Sequence, residues 1–139
     1  MSNDIPMKMR SWLFAPGDSE KKMAKAAGGS ADIVIFDLED AVVNENNRNR
    51  IFVRVNPLDG PYTLADLAVV MPGRPGGIML PKVSGRQDVE ALDKYLEALE
   101  VANEIERGTT PVIILVTETA ESMFHCGDFK GAPRVIAMT

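Results

Sequence analysis

The segment Ile33-Val34-Ile35-Phe36 puts apolar, mostly β-branched side chains on consecutive positions. A strand with one wet face alternates apolar and polar residues, so an unbroken apolar run this short predicts a strand covered on both faces, as parallel sheets require. Similar runs recur at Trp12 to Ala15, Ile51 to Val55, Gly77 to Leu80, Pro111 to Val116 and Arg134 to Met138, and polar segments of helical period separate several of them. That alternation is the signature of an α/β fold.

The intervening segments carry their own punctuation. After the first strand come Pro16-Gly17, Asp18 as a candidate N-cap, Met23, Ala26 and Ala27 at helical spacing, and Gly28-Gly29 as a stop. Thr63 to Met71 predicts a short helix with Leu64, Leu67 and Ala68 on its apolar face. The longest predicted helix places Val89, Leu92, Leu96 and Leu99 at three- and four-residue steps, with Ser84 and Gln87 as a capping box. One junction is anomalous. Only the Asn-rich stretch Asn44 to Arg50 separates the second strand's loop from the third strand, whereas a parallel crossover needs about a dozen residues or more. Either those strands are antiparallel or a helix is missing there, and the second reading is adopted.

Composition narrows the function. The chain has 139 residues, 45% hydrophobic and 25% charged, and a net charge of −5, which suits a single globular domain and argues against an extended nucleic-acid surface. No stretch approaches the roughly 20 apolar residues of a membrane span, and no secretory leader is evident, so a cytoplasmic protein with no membrane partner is expected. The single cysteine, Cys126, agrees with a reducing compartment.

In parallel α/β folds, chemistry collects at the C-terminal ends of the strands. Those ends carry Pro16-Gly17-Asp18, then Asp37, Glu39 and Asp40, then Arg54 and Asn56, then Lys82, then Glu118. Carboxylates facing an Arg and a Lys suit a hard divalent cation and an anionic substrate, because Mg²⁺ prefers oxygen ligands and Arg grips carboxylates bidentately. An Arg in an otherwise apolar strand, such as Arg54, is costly without a partner. Asp37 and Asp40 have an alternative role as loop caps or as ion-pair partners of Lys82.

The strings RSWLFAPGDSEKKMAKA (Arg10 to Ala26), IFDLEDAV (Ile35 to Val42), VRVNPLD (Val53 to Asp59), GIMLPKV (Gly77 to Val83) and TETAESMF (Thr117 to Phe124) resemble, in order, the citrate lyase β-subunit-like branch of the HpcH/HpaI aldolase superfamily. The resemblance is interrupted only at Asn44 to Arg50, where family members carry a helix. It implies a (β/α)₈ TIM barrel, of which residues 1–139 are the N-terminal part with the first five to six strands. Such a barrel takes about 250 residues. It also implies a Mg²⁺-dependent lyase acting on an acyl-CoA, a 3-hydroxyacyl thioester of the malyl-, citramalyl- or citryl-CoA type, by retro-Claisen cleavage to acetyl-CoA and a 2-oxo acid. Homo-oligomers, trimers or hexamers, are expected.

By this resemblance Arg54 holds the substrate carboxylate and steadies the enolate, and Glu118 is a magnesium ligand that also contacts substrate. Lys82 is a further substrate-binding residue, and Glu39 or Asp40 handles a proton. The family's second metal ligand, an Asp in a W-G-x-E-D segment, is expected beyond Thr139. Two alternatives stand beside the lyase: a thioesterase on the same scaffold, and a non-catalytic barrel fragment. The adjacent His125 and Cys126 lack a third group and read as a helix end. The helix start after Pro16-Gly17 offers free N–H groups for a CoA phosphate, but Lys21, Lys22 and Lys25 read mainly as a solvated face.

Overall fold

The computed structural model describes residues 8–17, 19–37 and 49–139. The apolar runs become strands β1 (Trp12–Pro16), β2 (Ile33–Asp37), β3 (Ile51–Arg54), β4 (Gly77–Leu80), β5 (Val112–Ile114) and β6 (Val135–Met138). They form one sheet in the order β1-β2-β3-β4-β5-β6, with every neighbouring pair parallel. The helices are α1 (Glu20–Ala27), α2 (Thr63–Val70), α3 (Arg86–Ala102) and the short α4 (Ala120–Phe124). β1 and β6 each have a neighbour on one side only, and Leu13, Phe14 and Met138 remain about half exposed along these edges. The architecture is α/β with an open sheet, consistent with part of a TIM barrel. No helix among the described residues is long and apolar enough to cross a membrane.

Side-chain parity sorts the sheet into two faces. Val53, Val55, Ile78, Leu80, Val112 and Ile114 pack with Leu67, Val70, Leu92 and Leu96 from α2 and α3. Val34, Phe36 and Ile51 meet Met23, Ala26 and Ala27 of α1. The alternate residues Ile33, Ile35, Phe52, Met79 and Ile113 form a separate cluster with Trp12, Leu115 and Ile136 and without any helical residue. Both faces of β2 to β5 are therefore buried, one under helices and one by the strands' own side chains. This explains the unbroken apolar runs, since burying each such side chain contributes about 1.5–3 kcal/mol.

Several boundaries depart from the sequence reading. β2 and β3 are parallel, which removes the antiparallel alternative. The connection between them spans residues 38–50, of which 38–48, including most of the Asn-rich stretch, lie outside the described residues. α2 buries Thr63, Leu67 and Val70, while Leu64 is 57% exposed and Ala68 faces outward. The face is rotated because Thr63 Oγ1 donates to the carbonyls of Asn56 (3.1 Å) and Pro57 (2.5 Å) and pins the first turn inward. Ser19 caps α1, its side chain accepting from Lys22 N–H; the expected cap, Asp18, lies outside the described residues. α3 starts one residue later than the Ser84 and Gln87 pattern implies. Gly85 is the N-cap, so Asp88 rather than Gln87 occupies the third helical position, and its Oδ2 accepts from Ser84 N–H at 2.7 Å and Gly85 N–H at 3.4 Å.

Gly77 opens β4 where the Phe52 ring crosses the backbone. A Cβ there would lie 2.1 Å from Phe52 Cε1 and 2.7 Å from the Pro111 carbonyl oxygen. Gly77→Ala is expected to lower the unfolding free energy by about 1–3 kcal/mol, the usual cost of overpacking. Denaturant titration at constant m-value measures it, and an unchanged midpoint would mean that Phe52 moves aside freely.

Candidate active site

Parallel register brings the polar strand ends together. Pro16 lies beside Asp37, and Asp37 lies beside Arg54. Asp37 shares parity with Ile33 and Ile35, and Arg54 shares it with Phe52. Both side chains therefore emerge on the helix-free face, at its C-terminal end. Arg54 Nε donates to Asp37 Oδ1 at 2.7 Å, and Nη2 donates to Asp37 Oδ2. The guanidinium carbon lies 5.7 Å from the centroid of the Phe14 ring, within range of cation–π attraction. Arg54 thus has the partner its strand position demands, and that partner is Asp37. The alternative pairing of Asp37 with Lys82 is replaced by this one, because the β2–β3 register places Arg54 at Asp37's side.

The hydrogen bonds that Arg54 donates to Asp37 push the Arg54 pKa further up; partial burial opposes this, and the charges of Asp37 and the more distant Glu118 reinforce it. With both groups partly exposed, the pair contributes little to stability. Its effect is positional. Asp37 occupies Nε and one N–H of Nη2, and among the described residues Nη1 has no acceptor. A guanidinium has five N–H donors, so the edge formed by Nη1 and the second N–H of Nη2 is left to grip an oxyanion.

Across the strand ends, Glu118 follows β5 and accepts from the main-chain N–H of Lys82 at 2.8 Å through Oε2. Lys82 stands in the left-handed region at φ 51°, a conformation that costs a non-glycine residue about 1–3 kcal/mol. Its side chain is exposed and has no ion-pair partner among the described residues. Below Arg54, Asp66 Oδ2 accepts from both the backbone N–H (2.8 Å) and Nδ2 (2.7 Å) of Asn56, tying α2 to the loop after β3. The sequence reading did not single out Asp66; its position in the first turn of a helix that follows an Asn-Pro turn is the signal that points to it.

The remaining candidates separate from this cluster. Glu39 and Asp40 lie outside the described residues. His125 ends α4, with Nδ1 2.9 Å from Asp128 Oδ2, and Cys126 Sγ donates to the Ser122 carbonyl, so both serve a helix end as expected. Lys22 and Lys25 are exposed beside the free edge of β1. Among the described residues no group of three or more His, Cys, Asp or Glu side chains converges on one point. Glu118 nevertheless fits as one hard-oxygen donor: Oε2 is fixed by the Lys82 amide, and Oε1 has no hydrogen-bond partner among the described residues.

Comparison with known proteins finds one matching family. Residues 10–136 match the family model described as HpcH/HpaI aldolase/citrate lyase. A (3S)-malyl-CoA thioesterase of Cereibacter sphaeroides is 31% identical over 93% of this chain and 47% of its own length. An L-malyl-CoA/beta-methylmalyl-CoA lyase from the same species is 30% identical over 94% of this chain and 47% of its own. A solved citrate lyase beta subunit from M. tuberculosis, complexed with oxaloacetate and magnesium, is 30% identical with a TM-score of 0.64, covering 91% of this chain and 55% of its own. The chain spans about half the length of the curated relatives it matches.

Proposed function

The chain belongs to the HpcH/HpaI aldolase/citrate lyase family, and from that footing we propose that it supplies the substrate-gripping strands of a magnesium-dependent acyl-CoA lyase. The substrate is a 3-hydroxyacyl-CoA of the malyl-, citramalyl- or citryl-CoA type, cleaved to acetyl-CoA and a 2-oxo acid. The observation that carries the reading is the Arg54 guanidinium, oriented by Asp37 and presenting an unpaired N–H edge at the C-terminal end of the sheet.

Each residue has a part in this reaction. Arg54 binds the substrate carboxylate or the thioester oxygen through its free edge and stabilises negative charge there. Asp37 and Phe14 restrict the guanidinium to one plane, so the grip costs less ordering on binding. Glu39 or Asp40 takes the hydroxyl proton. The C–O bond becomes C=O, the adjacent C–C bond breaks, and its electron pair departs as the acetyl-CoA enolate, which is then protonated. Glu118 would be one of the residues that hold Mg²⁺, with the second an Asp expected beyond Thr139, and Lys82 contributes to substrate binding. The ion, when bound, supplies Lewis-acid stabilisation of developing oxyanion charge.

The same reading treats residues 1–139 as the first part of a longer barrel. The open edges of β1 and β6 support it, as does a match that takes in 93% of this chain but only 47% of a relative's length. Intact mass is the direct measurement: about twice 15.1 kDa is expected, and a mass at that value itself would favour a non-catalytic fragment. The relative named a thioesterase favours a second reading in which water attacks the bound thioester. Incubation of the full-length protein with malyl-, citramalyl- and citryl-CoA plus Mg²⁺ separates the two. Release of glyoxylate, pyruvate or oxaloacetate is expected; free CoA with an intact hydroxydiacid identifies the thioesterase, and no turnover of any substrate rejects both.

A further inference from the structure

We propose that Lys82 serves the site through its main chain: its N–H holds Glu118 Oε2, and its left-handed backbone turns the following chain aside so that this donor stays on the carboxylate and Oε1 alone is offered to a divalent cation. This rests on the reading of Glu118 as a metal ligand. The last bond of the β4–β5 ladder runs from Leu115 N–H to Leu80 O at 2.9 Å. The next donor on that side of β4 is Lys82 N–H, which leaves the ladder and donates to Glu118 at 2.8 Å, while the positive φ at Lys82 turns the chain that follows away from the strand direction.

The strained residues are distributed unevenly. Arg74, Glu104 and Arg134 also have positive φ, but they lie in the connections that lead into β4, β5 and β6, at the N-terminal end of the sheet. Lys82 is the one described non-glycine residue of this kind at the end that carries Arg54 and Glu118. Backbone strain retained at such a place needs a compensating contact, and the charge-assisted bond to Glu118 provides one. An exposed Glu on a loop samples many rotamers. With one oxygen tied to an amide, the other is held in place for monodentate coordination, as outer partners of metal ligands commonly do. The lysine ammonium plays no part in this geometry.

Manganese binding to the full-length protein, read from the loss of the free Mn²⁺ EPR signal, tests the idea without relying on turnover. Lys82→Gly and Lys82→Asn remove the ammonium but tolerate a left-handed backbone, and both are expected to keep the dissociation constant within about twofold. Lys82→Val also removes the ammonium but disfavours that backbone, and is expected to weaken binding on the order of tenfold or more. Thermal unfolding checks that each variant is folded; if Lys82→Val is not, Lys82→Ala takes its place with the same ordering against glycine. Glu118→Gln is the reference and is expected to weaken binding at least as much. Equal losses in Lys82→Gly and Lys82→Val, or none in Lys82→Val, would overturn the main-chain role while leaving Glu118 as a ligand. An unchanged constant in Glu118→Gln would overturn the metal reading and this proposal with it.

Discussion

Glu100→Gln is expected to lower the unfolding free energy by about 3–5 kcal/mol, the usual cost of removing one partner from a buried ion pair. Glu100 is fully buried at the C-terminal end of α3. Its carboxylate accepts from Arg134 Nη1 at 2.6 Å and Nη2 at 3.0 Å, and from the N–H groups of Gly108 at 2.7 Å and Thr110 at 2.8 Å. Arg134 is itself buried, with Nε donating to Asp93 Oδ1 at 2.5 Å. A glutamine would turn an NH₂ toward donors and leave Arg134 with Asp93 as its one carboxylate partner among the described residues. The network joins α3 to the chain entering β5 and β6, so its loss is expected to loosen the β6 side of the sheet first. Hydrogen exchange across Val135–Met138 reads that directly.

The same carboxyl sets an acid limit. Burial alone would raise its pKa, but the hydrogen bonds from Arg134, Thr110 and Gly108 outweigh burial and hold it down at about 2, against 4.5 for an ordinary Glu. Because the folded value lies below the unfolded one, the unfolded chain takes up the proton first as pH falls. The stabilisation is complete above about pH 4.5 and declines as pH drops from there toward 2. The full effect is about 3 kcal/mol. Stability curves of the wild type and Glu100→Gln should therefore converge across that window; parallel curves would show that Glu100 does not titrate with folding.

Arg54→Ala is expected to lower kcat/KM of the full-length protein by about 10³-fold or more, roughly 4 kcal/mol, without unfolding it. The ion pair with Asp37 is half exposed, so its removal costs little stability, whereas the enolate would lose its principal side-chain donor. Arg54→Lys is expected to rescue poorly, since an ammonium cannot donate to Asp37 and to a substrate oxyanion in one plane. Asp37→Asn should fall between the two, keeping the charge of Arg54 but loosening its plane. Wild-type rates in Arg54→Ala would refute the assignment of the site.

Much of this was legible in the chain. Apolar runs on consecutive positions identify strands buried on both faces, and the polar residues that end those runs mark the end where the site is proposed. The motifs around Arg54 and Glu118 point to the family. The partners were not legible. Asp37 pairs with Arg54 because β2 and β3 are in a particular register, which depends on residues far apart in sequence. Glu100 carries one available signal: it continues the Val89, Leu92, Leu96 stripe of α3, so a carboxylate stands at a core position and requires a buried cation. Which cation answers it depends on where Arg134 enters β6.

Local chemistry, then, determined the parallel α/β character, the strand order of functional groups and the family, because side-chain parity and motif spacing act over a few residues. Tertiary structure decided the orientation of the Arg54 guanidinium by Asp37 and Phe14, the rotation of α2, the buried Glu100–Arg134 pair, and the role of the Lys82 backbone. Each of these depends on hydrogen bonds whose donor and acceptor meet only after the sheet has assembled, and no local pattern of residues specifies where those meetings occur.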